Sequence, residues 1–140
     1  LEASANLDAW RFLGSFTYTK ARADASSWGG GLNSDEQLEG VPERTTALWA
    51  IRDFADLGLY GFSFGGGARY VGKIGDGTGN HVLPTVTLFD AMAAYETGPW
   101  RFAVNANNLT DKDYIATCLA RGDCWFGQRR TITSTLTYLW

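Results

Sequence analysis

Cys118 and Cys124 stand six residues apart, with Gly122 between them. Two thiols at that spacing could close a small ring or remain free, and a ring would point to an oxidising compartment. His81 is the single histidine; it follows Asn80 and has no cysteine nearby in sequence. A metal site needs several ligands, so none is expected there. The run "GDGTGN" at Gly75–Asn80 hints at a calcium loop or a phosphate cradle. It lacks both the glutamate that ends an EF-hand loop and a following Lys-Ser/Thr, so it reads as a turn-rich loop. Asp35, Glu36 and Glu39 form an acidic cluster. As a glycosidase pair they would need a shaped sugar cleft, and a solvated loop is the simpler reading. Asn108-Leu109-Thr110 has the form of a glycosylation sequon but reads as a source of turn hydrogen bonds. No Ser-His-Asp or Cys-His arrangement is suggested, so the chain is not expected to be an enzyme.

The elements that carry these residues follow from composition and period. The chain has 140 residues, enough for one ordinary domain. Its net charge is −3 with Lys and Arg dispersed, which argues against nucleic acid as a partner. Aromatics reach 14% and glycines number 17, a mixture that suits an all-β chain with many turns. No run of eighteen apolar residues offers a transmembrane helix. The opening "LEASANLDAW" has no methionine, basic region or apolar region of a signal peptide, and it begins in mid-pattern.

Two-residue alternation recurs along the chain. Strands are expected at 1–5, from Trp10 to about Thr19, at Thr45–Asp53, Tyr60–Val71, Thr85–Thr97 and Trp100–Asn107, and finally through "RTITSTLTYLW" at 130–140. Trp10, Phe12, Phe16 and Tyr18 share one face; so do Tyr60, Phe62, Phe64 and Tyr70; so do Trp100, Phe102, Val104 and Ala106. The opposite faces carry Thr, Ser, Asn, Gly and Arg, including Arg11, Arg69, Arg101 and Arg129. Connections run short, long, short, long, short, long. A meander with short turns at one end, long loops at the other, an apolar outside and a wet inside is the pattern of a transmembrane β-barrel. Each residue climbs about 2.5 Å along the membrane normal, so the last strand rises about 25 Å, the height of the apolar band. It would place Arg130 at the outer rim and Tyr138 and Trp140 in the inner aromatic girdle.

Four stretches carry a more specific likeness: Gly40–Ala50, Gly61–Gly72 ("GFSFGGGARYVG"), Leu83–Cys118 (with "NANNLTDKDY") and 124–140 ("CWFGQRRTITSTLTYLW"). In this order they resemble the C-terminal end of TonB-dependent outer-membrane receptors of the ferric-siderophore group, ferrichrome receptors above all. The resemblance implies an all-β, antiparallel up-and-down meander: about seven strands of a 22-stranded barrel, open and curved as a piece. Residues 1–140 would be the C-terminal part of that barrel, and the N-terminal plug and TonB box would lie outside it.

The same resemblance implies transport of a ferric siderophore, of the hydroxamate or ferrichrome type, with no directly bound cofactor or metal. It pairs Cys118 with Cys124 in a disulfide of the last loop. Trp125 and Phe126 become ligand contacts, and Leu119 stands where the family has an aromatic. Leu136, Tyr138 and Trp140 match the terminal signal read by the barrel-assembly machinery. The partners implied are the siderophore, the TonB complex through the N-terminal region, and outer-membrane lipid; the bacterial outer membrane is the location. The lumen-side arginines would meet plug carboxylates, line the path, or simply be solvated. Two other readings remain: a soluble β-sandwich binding carbohydrate through Trp28, Trp49 or Trp100, and a small complete barrel of eight strands.

Overall fold

The computed structural model describes residues 1–22 and 37–140, so Trp28, Asp35 and Glu36 lie outside the described residues. Eleven strands follow in chain order: β1 (Glu2–Leu7), β2 (Trp10–Tyr18), β3 (Arg44–Asp53), β4 (Phe62–Val71), β5 (Ile74–Gly75), β6 (Val82–Leu83), β7 (Val86–Thr97), β8 (Trp100–Asn107), β9 (Ile115–Cys118), β10 (Cys124–Phe126) and β11 (Thr131–Tyr138). Seven of them form one antiparallel sheet in the order β1-β2-β3-β4-β7-β8-β11. It is a pure meander, with β1 and β11 at its open edges. The other four strands form two small hairpins, β5–β6 and β9–β10, inside long loops. Sequence periodicity missed both, because a strand of two to four residues is too short to show a period.

The register confirms the faces. Phe12 lies opposite Ala50, Phe64 opposite Ala93, Tyr95 opposite Phe102 and Trp100 opposite Tyr138. Directly opposed residues project to the same side of a sheet, so these belong to one outward surface. That surface is left open: Phe16, Leu48, Phe64, Phe89, Phe102 and Ile132 are each at least 41% exposed. No second sheet packs over it among the described residues, so the sandwich reading is not supported. An apolar face without a protein cover is what lipid requires, and backbone groups there must be satisfied within the sheet.

The short-turn end closes with minimal chain. Asp8 (φ 49°) and Gly98 (φ 54°) take left-handed conformations in two-residue turns, and a single 3₁₀ turn at Ala55–Leu57 ends on Gly58. β4 starts at Phe62 rather than Tyr60, because Gly61 takes a left-handed φ of 76°, outside the range of an extended strand. The aromatic girdle forms at this end: Tyr138 packs between Trp100 (ring centroids 4.7 Å) and Trp140 (6.4 Å).

The inner face of β4 is thinned to Gly65 and Gly67, and the reason lies on β3. The Trp49 indole lies over Gly67, where an added Cβ would come within 2.6 Å of the ring and 2.9 Å of the Leu48 carbonyl. Gly66 points outward, opposite Ala50 and Ala91, and its nearest atom would be 3.8 Å from a new Cβ. Gly67→Ala is therefore expected to destabilise the sheet by about 1–3 kcal/mol through overpacking. Gly66→Ala should be near neutral. Loss of heat-modifiable gel mobility at a lower temperature in the first variant only would be the result to look for.

Candidate functional site

The described parts of the three long connections lie at the end opposite the girdle, and they touch one another. Ile74 of β5, Leu83 of β6 and Cys118 of β9 form a small buried cluster against Val71. The Gly40 N–H donates to the Gly75 carbonyl at 3.4 Å. Glu39 accepts from the Ala120 N–H at 2.7 Å. Glu39 is thus not a solvated loop acid: it ties the β2–β3 connection to the β9–β10 hairpin, across 81 residues of chain. Sequence offered no signal for that contact.

Cys118 and Cys124 are joined in a disulfide and face each other across β9 and β10. The bridge closes the hairpin, and its Cys118 half is buried against the other loops. Beyond it Trp125 is 46% and Phe126 79% exposed. The register shifts between these two residues: Trp125 lies opposite Thr117 and Phe126 opposite Ile115, so Ala116 of β9 is the unpaired bulge. Leu119 lies elsewhere. It lines a concavity of about 270 Å³ with His81, Val82, Leu83, Ile115 and the disulfide, and neither Trp125 nor Phe126 reaches it. The three sequence-predicted contacts are therefore not brought to one point. Leu136, Tyr138 and Trp140 sit at the far end of the sheet from this cap.

Asp76 explains the glycine-rich loop. Its carboxylate accepts from the Thr78 N–H and hydroxyl, the Gly79 N–H and the His81 N–H at 2.8–3.0 Å. Those oxygens serve the backbone, and among the described residues no three His, Cys, Asp or Glu side chains gather to hold a metal. Burial pushes the Asp76 carboxyl up, but the hydrogen bonds from Thr78, His81 and Gly79 outweigh it and hold it below its ordinary value.

The loop leaving β8 is anchored by Asn108, which is 1% exposed. Its side-chain amide donates to the carbonyls of Lys112 (2.9 Å) and Gln128 (3.0 Å) and accepts from the Lys112 N–H. Its own N–H donates to Asp90, which also holds Arg69 through two hydrogen bonds at 2.5 and 2.9 Å. Just beyond, Arg129 grips Asp111 by two nitrogens and reaches Asp113, while the Arg130 N–H donates to Asp111. The Arg129 hydrogen bonds lead in holding the Asp111 carboxyl well below its ordinary range, and Asp111 in turn raises Arg129. The Tyr114 ring covers Gly127, where any side chain would overlap it. Three lumen-side arginines thus have carboxylate partners within the chain: Arg69 with Asp90, Arg101 with Glu96 (3.2 Å) and Arg129 with Asp111.

A one-layer meander with an uncovered apolar outside, a polar inside, aromatic rims and loops gathered at one end defines the wall of an outer-membrane β-barrel. Residues 1–109 match the family described as TonB dependent receptor-like, β-barrel, and the chain belongs to that family. It is 32% identical to the ferrioxamine B receptor of Salmonella typhimurium over 99% of its own length and 20% of that protein's. It has the same identity to the ferrichrome outer membrane transporter/phage receptor of Escherichia coli K12, over 99% of this chain and 19% of that one. Among solved structures it is similar to the ferric-catecholate import receptor Fiu of E. coli K12, with a TM-score of 0.75 and 25% identity, covering 98% of this chain and 20% of that one. The chain spans about a fifth of the length of these curated relatives, and its place is the bacterial outer membrane.

Asp76 and Asp111 both titrate lower in the folded cap than in an unfolded chain. Their stabilisation is complete above the ordinary value of 3.8 and is lost as pH falls from there through the depressed folded values. The cap should therefore resist protease equally at neutral pH and at pH near 5, and loosen only in stronger acid. Asp76→Asn should be cut faster than wild type at neutral pH, with the gap closing at low pH. Cleavage by pepsin in acid and by a neutral protease at pH 7 reads both limits.

Proposed function

We propose that this chain is the closing part of the barrel of a TonB-dependent receptor that imports ferric siderophores, hydroxamates of the ferrichrome and ferrioxamine kind. The observation that carries the reading is the disulfide-closed hairpin, which holds exposed Trp125 and Phe126 at the loop end of the barrel wall. Aromatic faces on a fixed hairpin suit a compact ligand whose outside is largely apolar, and such anchors dominate binding when desolvated. The names of the two relatives at 32% identity support the hydroxamate class. In this reading the plug and TonB box come from the N-terminal region of the protein. The TonB complex supplies the energy, no cofactor is held, and no covalent chemistry occurs. Leu136, Tyr138 and Trp140 serve as the signal for the barrel-assembly machinery, and the Trp100–Tyr138–Trp140 girdle meets lipid.

The test is uptake of radioactive iron by cells that lack other siderophore receptors and express the intact protein. Ferrichrome and ferrioxamine B should deliver iron in a TonB-dependent manner, and a ferric catecholate should not. Delivery from the catecholate alone would replace the hydroxamate assignment. Trp125→Ala with Phe126→Ala should weaken ferrichrome binding about 30-fold, as loss of aromatic hot spots does. Leu119→Ala, on the separate concavity, should matter less; fluorescence titration of the purified receptor checks both.

A further inference from the structure

Trp125 and Phe126 sit between two clamps, and the two clamps do different things. The first is the disulfide between Cys118 and Cys124. Both its ends lie in β9–β10, so it fixes the shape of the hairpin but leaves its tilt on the wall open. The second clamp follows Phe126 directly. The Gly127 N–H donates to the Tyr114 carbonyl at 2.8 Å, and the Gln128 carbonyl accepts from the Asn108 carboxamide at 3.0 Å.

Asn108 is itself fastened to a wall strand. Its N–H donates to Asp90 at 2.9 Å, and the next N–H, of Leu109, donates to the Phe89 carbonyl at 2.7 Å; both acceptors belong to β7. The same carboxamide donates to the Lys112 carbonyl and accepts from the Lys112 N–H, each at 2.9 Å. The far end of the hairpin meets only other loops among the described residues, through Glu39 and the cluster of Ile74, Leu83 and Cys118. Asn108 therefore runs directly from a wall strand to the base of the hairpin.

The position is also demanding about residue type. Its φ is 51°, a left-handed conformation that Gly, Asn and Asp tolerate. Glycine would supply no side chain. An ionised aspartate only accepts, and it would face the Lys112 and Gln128 carbonyls with no proton to give. Asparagine offers two donors and an acceptor in one plane, and all three are used. At 1% exposure, solvent has little access to replace a lost partner.

We propose that Asn108 is a positioning residue for ligand capture: its carboxamide sets how the disulfide-closed hairpin stands on the wall, and with it the place of Trp125 and Phe126. The ligand half of this rests on the siderophore reading above, and the placement half does not.

The experiment uses the intact receptor, assembled in the outer membrane, carrying 5-fluorotryptophan and extracted in mild detergent. The fluorine NMR line of Trp125 is the one that disappears in W125F. Wild type should give a single narrow Trp125 line. N108G keeps the backbone conformation and removes all three side-chain hydrogen bonds. Its Trp125 line should broaden or split, while heat-modifiable gel mobility shows an intact barrel. Two aromatic side chains that must be ordered during binding, rather than before it, weaken binding about tenfold, so N108G should raise the ferrichrome Kd by about that factor. N107A, at the exposed neighbour on β8, should change neither reading. A cycle with W125A/F126A separates action through the aromatics from a general loss: in that background N108G should weaken binding no further. An unchanged Trp125 line or an unchanged Kd in N108G overturns the proposal, and so does a loss that multiplies in full with that of W125A/F126A. Should N108G fail to assemble, N108D, of the same shape and backbone preference, carries the same readings. If wild type binds no ferrichrome, the siderophore reading fails, and the Trp125 line alone decides the placement.

Discussion

The buried carboxylate of Asp90 is the point on which the loop half of the molecule depends. It sits on the inner face of β7, 3% exposed, and a charge so placed is costly unless its oxygens are filled. Arg69 of β4 fills them from one side and the Asn108 N–H from the other. Asn108 then fixes both ends of the loop that follows, through the carbonyls of Lys112 and Gln128. One ion pair in the wall therefore sets where the β8–β11 connection leaves the sheet and where it returns. The Arg129–Asp111 pair and the Tyr114 ring over Gly127 continue the same chain of contacts to the start of β11.

That arrangement gives the cap its rigidity without a large core. The described loops bury only Ile74, Leu83 and Cys118 as a cluster, too little apolar surface to hold three connections by itself. The disulfide, the Glu39 contact with Ala120 and the Asp76 turn supply the remainder. The wall has the opposite economy. It is one layer thick, its outward apolar side chains have no protein cover among the described residues, and its cohesion comes from the ladder and from neighbours such as Trp49 over Gly67.

The wall was largely legible in the sequence. Alternation in β2, in β8 and in β4 from Phe62 onward put the aromatic residues on the face that the register shows, while Tyr60 fell outside β4, because a strand with one apolar and one polar face must obey a strict period of two. The sequence likeness also indicated the Cys118–Cys124 bridge. The cap was much less legible. Glu39 read as a solvated acid, the lumen arginines could not be given partners, and β5–β6 and β9–β10 read as plain loop. Each of these depends on residues that are distant in sequence and share no periodic pattern.

Sequence alone, then, determined which face of β2, β4 and β8 is the apolar one, where the seven long strands lie along the chain, and which end carries the long loops. These are local consequences of side-chain polarity, two-residue geometry and connection length. Only the tertiary structure decided that Arg69 meets Asp90, that Glu39 meets Ala120, and that Leu119 shares a concavity with His81 that Trp125 and Phe126 do not line. The physical reason is that a salt bridge or a hydrogen bond is satisfied by any suitable partner within about 3 Å. Which partner arrives there is set by the register of strands and the return path of loops, and no single stretch of the chain contains that information.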